Sequence, residues 1–262
     1  MSEAALNIAT EAARIAGDII HRSLPKIERI KVKHKTRNDY VTEVDQSCEY
    51  AIVNHIRKFH PDHAILAEEG GAEGENDALW IIDPLDGTSN FLHGIPHYAI
   101  SIAYQYKGQL ESAVIYDPIK EELFTAAKGR GAYLNDQRLR VSKLNSLSAA
   151  IMATALPFRK RRYLQDSLHT LNTVFTEIED IRRSGSAALD LAYVAAGRFD
   201  GYWEIGLDRW DIAAGILLVR EAGGVVADFQ GNDKLEQGGN IIAASYKLMA
   251  RLQPLINPPK VP

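Results

Sequence analysis

The sequence predicts an α/β fold built in layers, and three observations carry that expectation. An amphipathic helical pattern opens the chain. Strands with tight turns between them fill its middle. Strand and helix patterns then alternate through the second half. With 262 residues, the chain is long enough for one large domain or two small ones with a substantial core. Its 46% hydrophobic and 24% charged residues are those of an ordinary globular protein.

The first helix is predicted over 3–23, because Leu6, Ala9, Ala13, Ala16 and Ile20 recur at helical spacing. Ser2 suits its N-cap, and Pro25 stops it just past Leu24. Lys26, Arg29, Lys31, Lys33, His34, Lys35 and Arg37 follow as a basic tract. It reads as a solvated hairpin of alternating charge, with an anion-facing loop or an interaction surface as the alternative. Residues 39–45 lead into a second helix capped by Thr42, with Cys48, Ile52, Val53 and Ile56 as its buried face. Asp45 in its first turn complements the helix dipole.

Two short apolar runs come next, and both end in carboxylates. Residues 64–67 run into Glu68-Glu69-Gly70, and residues 79–82 into Asp83. The second strand is expected to stop at Asp83, since Pro84 has no N–H to give a ladder. Asp86-Gly87 then turns tightly, with Gly87 at positive φ, and Thr88 adds a hydroxyl.

An antiparallel meander is expected over 98–106, 110–116 and 122–127, turning at Lys107-Gly108 and Asp117-Pro118. Gly129, Gly131 and Asn135-Asp136 mark further turns. The polar stretch 142–148 is the expected boundary between subdomains 1–145 and 146–256. Strands follow at 150–155, 179–182, 199–205, 224–228 and 241–244, and helices at 163–175, 186–196, 210–222 and 245–256. The tail 257–262 is too proline-rich to continue a helix and is expected to be loose.

A lone Asp-Gly is a common solvated turn. Here, however, Asp83 and Asp86 flank one bend, Glu68 ends another apolar run, and Asp211 opens an apolar helix. Carboxylates converging from separate elements suit hard cations, which take oxygen ligands.

Asp83-Pro84-Leu85-Asp86-Gly87-Thr88, the upstream Glu68-Glu69 and the distant Trp210-Asp211 resemble motifs of the inositol monophosphatase family. Gly185-Ser186-Ala187-Ala188-Leu189-Asp190-Leu191-Ala192-Tyr193 and Glu221-Ala222-Gly223-Gly224 place the likeness closest to its bacterial SuhB-type branch. The resemblance covers nearly the whole chain. It implies one unit folded as an α-β-α-β-α sandwich with an antiparallel and a mixed sheet. It also implies Mg2+-dependent hydrolysis of a phosphate monoester of a small polyol, with inositol 1-phosphate first among candidates. Lithium sensitivity and homodimers are frequent in the family.

By that resemblance, Glu68, Asp83 and the Leu85 carbonyl hold one Mg2+, and Asp83, Asp86 and Asp211 a second. Asp45, Glu68 and Thr88 are the catalytic set, with Asp45 and Thr88 orienting the attacking water. Asp86, Gly87, Thr88, Arg183, Gly185, Ser186, Ala187, Glu204 and Asp211 meet the substrate. Ser186 equally suits a helix N-cap, and Glu204 a strand-end surface position. The sequence departs from the branch at Ala155, where a glycine is usual, and at Leu207-Asp208-Arg209, just before Trp210. Both departures fall near the expected alcohol pocket.

Related phosphatases take fructose 1,6-bisphosphate, 3′-phosphoadenosine 5′-phosphate, histidinol phosphate or NADP, and Arg159-Lys160-Arg161-Arg162 would suit a second phosphate. Members of the branch are also implicated in transcription antitermination with RNA polymerase and its factors. The two basic tracts are the surfaces to consider for that role, although both read first as solvated charge. A net charge of −4 argues against a general nucleic-acid binder. Glu3 and Glu11 do not fit the layout of a signal peptide, and no stretch is apolar for long enough to span a membrane. Cys48 is the single cysteine, which excludes an internal disulfide and fits a reducing cytoplasm. His93 and His97 read as loop and strand-start residues rather than zinc ligands.

Overall fold

The computed structural model describes residues 2–30, 32–36, 39–158, 160–235 and 237–256. Lys31, Arg37, Arg159 and the expected loose tail 257–262 lie outside the described residues. Helix α1 (Ser2–Ser23) buries Ala5, Ala9, Ala12, Ala13, Ala16 and Ile20 along one stripe. Small side chains on that stripe bring its backbone close to its neighbours. Past Ser23 the chain tightens into a 3-10 segment, Leu24–Arg29, with Pro25 in its first turn. The hairpin of β1 (Val32–Thr36) and β2 (Asp39–Thr42) then delivers the chain to α2 (Glu43–Phe59). Thr42 caps α2 as its sequence predicts. Its hydroxyl accepts from the N–H of Val44 at 3.1 Å and of Asp45 at 3.3 Å, and Asp45 Oδ2 accepts in return from Thr42 N at 2.8 Å.

The large sheet has eight strands. In chain order they are β3 (Ala64–Ala67), β4 (Gly71–Glu73), β5 (Ala78–Asp86), β6 (Ala99–Tyr106), β7 (Gln109–Asp117), β8 (Glu122–Ala127), β9 (Gly131–Leu134) and β10 (Gln137–Arg138). Every adjacent pair is antiparallel except β3 and β5. Three details differ from the sequence reading. The sheet expected to be antiparallel is itself mixed, because β3 and β5 run parallel. Strand β5 does not stop at Asp83. Pairing resumes at Asp86 opposite Ala99 after a register shift, so Pro84 sits within a bulge, where no ladder N–H is needed. And the expected turns around Gly129 and Asn135-Asp136 enclose a short strand, β9, opened by Gly131 at φ 94°.

After β5 comes the short helix α3 (Thr88–Leu92). The second half supplies β11 (Ile151–Thr154), α4 (Leu164–Phe175), β12 (Asp180–Arg182), α5 (Ala187–Ala195), β13 (Gly201–Leu207), α6 (Arg209–Glu221), β14 (Val225–Ala227), β15 (Gly239–Ala244) and α7 (Tyr246–Ile256). Its five strands form a mixed sheet in the order β12-β11-β13-β15-β14. Five layers result: α1 and α2, the large sheet, α5 and α6, the small sheet, and α4 with α7. Helix α6 is buried continuously from Asp211 to Val219, because a sheet lies on each side of it. No helix among the described residues is long and apolar enough to cross a membrane.

The middle layer is tight at Gly215. A Cβ there would lie 2.4 Å from Leu191 Cδ1 and 2.5 Å from its Cβ. Gly215→Ala is therefore expected to destabilise despite the better helix propensity of alanine. Overpacking costs about 1–3 kcal/mol, and about 1 kcal/mol returns as propensity. A thermal melt should show a lower Tm; an unchanged or higher Tm would mean that α5 and α6 can separate freely.

Candidate active site

The carboxylate-bearing ends of these elements meet in one cleft of about 330 Å³. Glu68 follows β3; Asp83, Leu85 and Asp86 lie along the β5 bulge; Gly87 and Thr88 start α3. Gly185, Ser186 and Ala187 start α5, Glu204 comes from β13 and Asp211 from the first turn of α6, and all line the cleft with Arg183. Of the residues expected to act in catalysis, metal binding or substrate binding, Asp45 alone stands behind the wall, one hydrogen bond from Thr88. Ala155 and Asp208 also line the cleft, whereas Arg209 turns to β6 and donates to Gln105 Oε1 at 2.6 Å. His93 and His97 do not line it.

Asp83, Asp86 and Asp211 are each held by a backbone N–H of their own element or of a neighbour. Asp83 is 1% exposed, and its Oδ1 accepts from Leu85 N at 3.0 Å across the bulge. Asp86 Oδ2 accepts from Ser186 Oγ at 2.5 Å and from Ala188 N at 2.8 Å, which ties the large sheet to the start of α5. Ser186 is thus both the N-cap of α5, reaching Leu189 N, and a partner of Asp86. Asp211 Oδ2 accepts from Asp208 N at 2.7 Å in a capping box at the head of α6. Helix capping therefore also orients Asp211.

Burial pushes the Asp83 carboxyl well above the usual carboxylate range, and the charges of Glu68, Asp86 and Asp211 push the same way. Asp45 is buried and raised for the first of these reasons, opposed by hydrogen bonds from the side chain and backbone of Thr42. Thr88 Oγ1 lies 3.1 Å from Asp45 Oδ1 and 3.1 Å from the Leu85 carbonyl.

Two glycines are required by shape. Gly87 has φ 95°, and a Cβ there would sit 3.0 Å from the His97 carbonyl. Gly185 has φ 97°, and its Cβ would meet Arg183 Nη1 at 2.8 Å and Asn90 Nδ2 at 2.9 Å. The sequence reading did not pick out Asn90. Its amide donates to the carbonyls of His97 at 2.7 Å and Ser184 at 3.0 Å, joining α3 to the 183–186 turn. Lys160, read earlier only as part of a charge run, reaches the Gly206 carbonyl at 2.7 Å and Asp208 Oδ1 at 2.9 Å. No periodic signal marks either residue, because both act across elements distant in sequence.

Among the described residues, no three acidic or imidazole groups close together as a ready-made metal cage. The donor set nevertheless fits a hard divalent cation. It consists of carboxylates and a backbone carbonyl, with no soft atom, and a cation would offset the like charges around Asp83.

The sequence profile of the inositol monophosphatase family matches residues 1–258. A curated relative from Pseudomonas aeruginosa, named Nus factor SuhB, is 51% identical over 259 residues, covering 97% of this chain and 96% of its own. The crystal structure of extragenic suppressor protein suhB from Bartonella henselae superposes with a TM-score of 0.94 at 43% identity, covering 98% of this chain and 99% of that one. An inositol monophosphatase from Anabaena superposes at 0.87 with 37% identity, covering 97% of this chain and 95% of its own. With its five layers, its carboxylate-lined cleft and these likenesses over its whole length, the chain belongs to the inositol monophosphatase family, whose members are metal-dependent phosphatases.

Proposed function

We propose that the cleft hydrolyses the phosphate monoester of a small polyol, inositol 1-phosphate foremost, with Mg2+ as cofactor. The observation that carries the reading is a buried Asp83 crowded by Glu68, Asp86 and Asp211, beside the Thr88–Asp45 pair. In this reading Glu68, Asp83 and the Leu85 carbonyl hold one ion, and Asp83, Asp86 and Asp211 a second. Bound there, such ions would offset the ester's charge, lower the pKa of water and steady the leaving oxygen. With its proton turned toward Asp45, Thr88 Oγ1 offers lone pairs to one O–H of the attacking water and so aims that water at phosphorus. Backbone N–H groups of Gly87 and Thr88 meet the phosphate oxygens. Arg183, Gly185, Ser186, Ala187 and Glu204 meet the alcohol, with Asp211 able to reach a hydroxyl as well as a metal.

Phosphate release at fixed Mg2+ tests this on inositol 1-phosphate, glycerol 2-phosphate, fructose 1,6-bisphosphate, 3′-phosphoadenosine 5′-phosphate and NADP, with Asp86→Asn as control. Mg2+-dependent release, greatest on inositol 1-phosphate and lost in the variant, is the expected result. Preference for a bisphosphate would keep the chemistry and replace the substrate. No release from any ester by folded protein would end the enzyme reading.

The name Nus factor, carried by the Pseudomonas aeruginosa relative at 51% identity, favours a second role beside the first. In that role the protein joins RNA polymerase and its factors in transcription antitermination, and the exposed Lys26, Arg161 and Arg162 are candidate contacts. Binding to polymerase components that persists in Asp86→Asn would separate this role from catalysis; no binding by the wild-type protein would remove it.

A further inference from the structure

We propose that Asp190 is a second hydroxyl-reading carboxyl of the cleft, acting as a pair with Glu204, so that the site selects phosphate esters whose alcohol carries adjacent hydroxyls. The inference rests on the phosphatase reading above and assigns a residue that reading leaves without a task.

Asp190 lies in the first turn of α5, is 1% exposed and lines the cleft. Its Oδ1 is buried and has no hydrogen-bond partner among the described residues. Orphaning such an oxygen costs about 1–3 kcal/mol, whereas an apolar residue of the same shape would cost nothing of the kind. In a sealed core that difference favours leucine. At a cleft wall, a ligand hydroxyl that meets the carboxyl relieves the cost as the group reorients, and the carboxyl becomes a recognition element.

Glu204 belongs to the same wall and is 8% exposed. The fully buried Tyr202 donates its phenol to Glu204 Oε2 and so fixes that carboxyl from behind. Asp190 and Glu204 line the same wall, close enough for their charges to repel. Burial first, and then Glu204, push the Asp190 carboxyl well above its usual range, while a hydrogen bond from the Ser184 side chain opposes the shift. Two carboxyls on one wall give two places for a hydroxyl to bond, and neighbouring hydroxyls match that pattern, since each can reach one of them. A single hydroxyl satisfies half of it, and an alcohol without further hydroxyls satisfies none.

The test compares inositol 1-phosphate with phenyl phosphate, which has no hydroxyl, on wild-type protein, Asp190→Leu and Asp190→Asn with Mg2+ present. The ratio of kcat/KM between the two esters is expected to fall about tenfold or more in Asp190→Leu, the worth of one lost hydrogen bond. The change should sit mainly in KM for the polyol ester. Asp190→Asn keeps a donor and an acceptor in the same place and should hold the ratio within about threefold of wild type. Asp190→Ala, run alongside, gives the same fall if the leucine protein does not fold. A ratio within about twofold of wild type in the truncated variants, or an equal loss of kcat on both esters, overturns the inference alone. Wild-type protein inactive on both esters overturns the phosphatase reading, and this inference with it.

Discussion

Asp83→Asn is expected to abolish Mg2+-dependent phosphate release and, at the same time, to raise the melting temperature of the metal-free protein. Both effects have one cause. Asp83 is fully enclosed, and three acidic neighbours oppose its charge. With cations bound, that charge density is what the proposed chemistry uses, and removing one shared ligand should cost about three orders of magnitude in kcat/KM. Without cations, the same charge is a strain on the fold. A carboxyl raised on folding contributes stability that is fully present below its ordinary value of 3.8 and is lost as pH rises through the folded value. Metal-free wild-type protein should therefore lose stability toward neutral and mildly alkaline pH, and the asparagine variant should lose less. Asparagine keeps an oxygen for Leu85 N, so the bulge is retained. The gain at about pH 8 is expected to be about 1–3 kcal/mol, with roughly 2–4 °C in Tm for each kcal/mol. Melts with chelator at about pH 5 and about pH 8, then with Mg2+ restored, read the effect. Mg2+ should raise the wild-type Tm and leave the variant nearly unmoved. A variant less stable than wild type in chelator at the higher pH would refute the electrostatic account.

The second large effect is expected at Thr88. Thr88→Val keeps the shape and removes the hydroxyl that faces Asp45 Oδ1 and the Leu85 carbonyl. If this pair aims the attacking water, kcat should fall about 10²- to 10³-fold while KM changes little, because the lost contact acts only on the water in the transition state. Asp45→Asn should cost a similar factor. The double variant should cost hardly more than either single change, as expected of residues that act as one unit. Thr88→Ser, which keeps the oxygen, should recover most of the activity. Additive losses, or a loss confined to KM, would assign Thr88 to substrate binding instead.

Much of the site was legible because its residues lie in short motifs with local physical meaning. Thr42 before an apolar-periodic run is a helix cap wherever it occurs, and here it caps α2. Asp86-Gly87 demands a turn at positive φ, and Gly87 takes φ 95°. The strand–helix alternation of the second half follows from hydrophobic period alone, and α4, α5, α6 and α7 each fall within a few residues of where it put them. Pro84 was misread because the rule that it ends pairing holds for a regular ladder, and a bulge suspends the rule by leaving one N–H position unused. The strand opened by Gly131 was missed because a glycine at positive φ looks like a turn whether or not a strand begins there.

What only the tertiary structure decided is which residues share a wall. Asn90 ties α3 to the turn before Ser186, and Lys160 reaches the residues that precede α6. Asp190 was read as one letter of a helical motif, and only the packing of α5 beside β13 places this buried, incompletely partnered carboxyl in the cleft wall with Glu204. Periodicity and turn chemistry act over a few residues, so the sequence alone determined the elements and the motif that supplies the carboxylates. Burial, charge repulsion and an orphaned oxygen are properties of three-dimensional neighbours up to a hundred residues apart in the chain, as Asp86 and Ser186 are. They come into being only when the two sheets close on the helices between them.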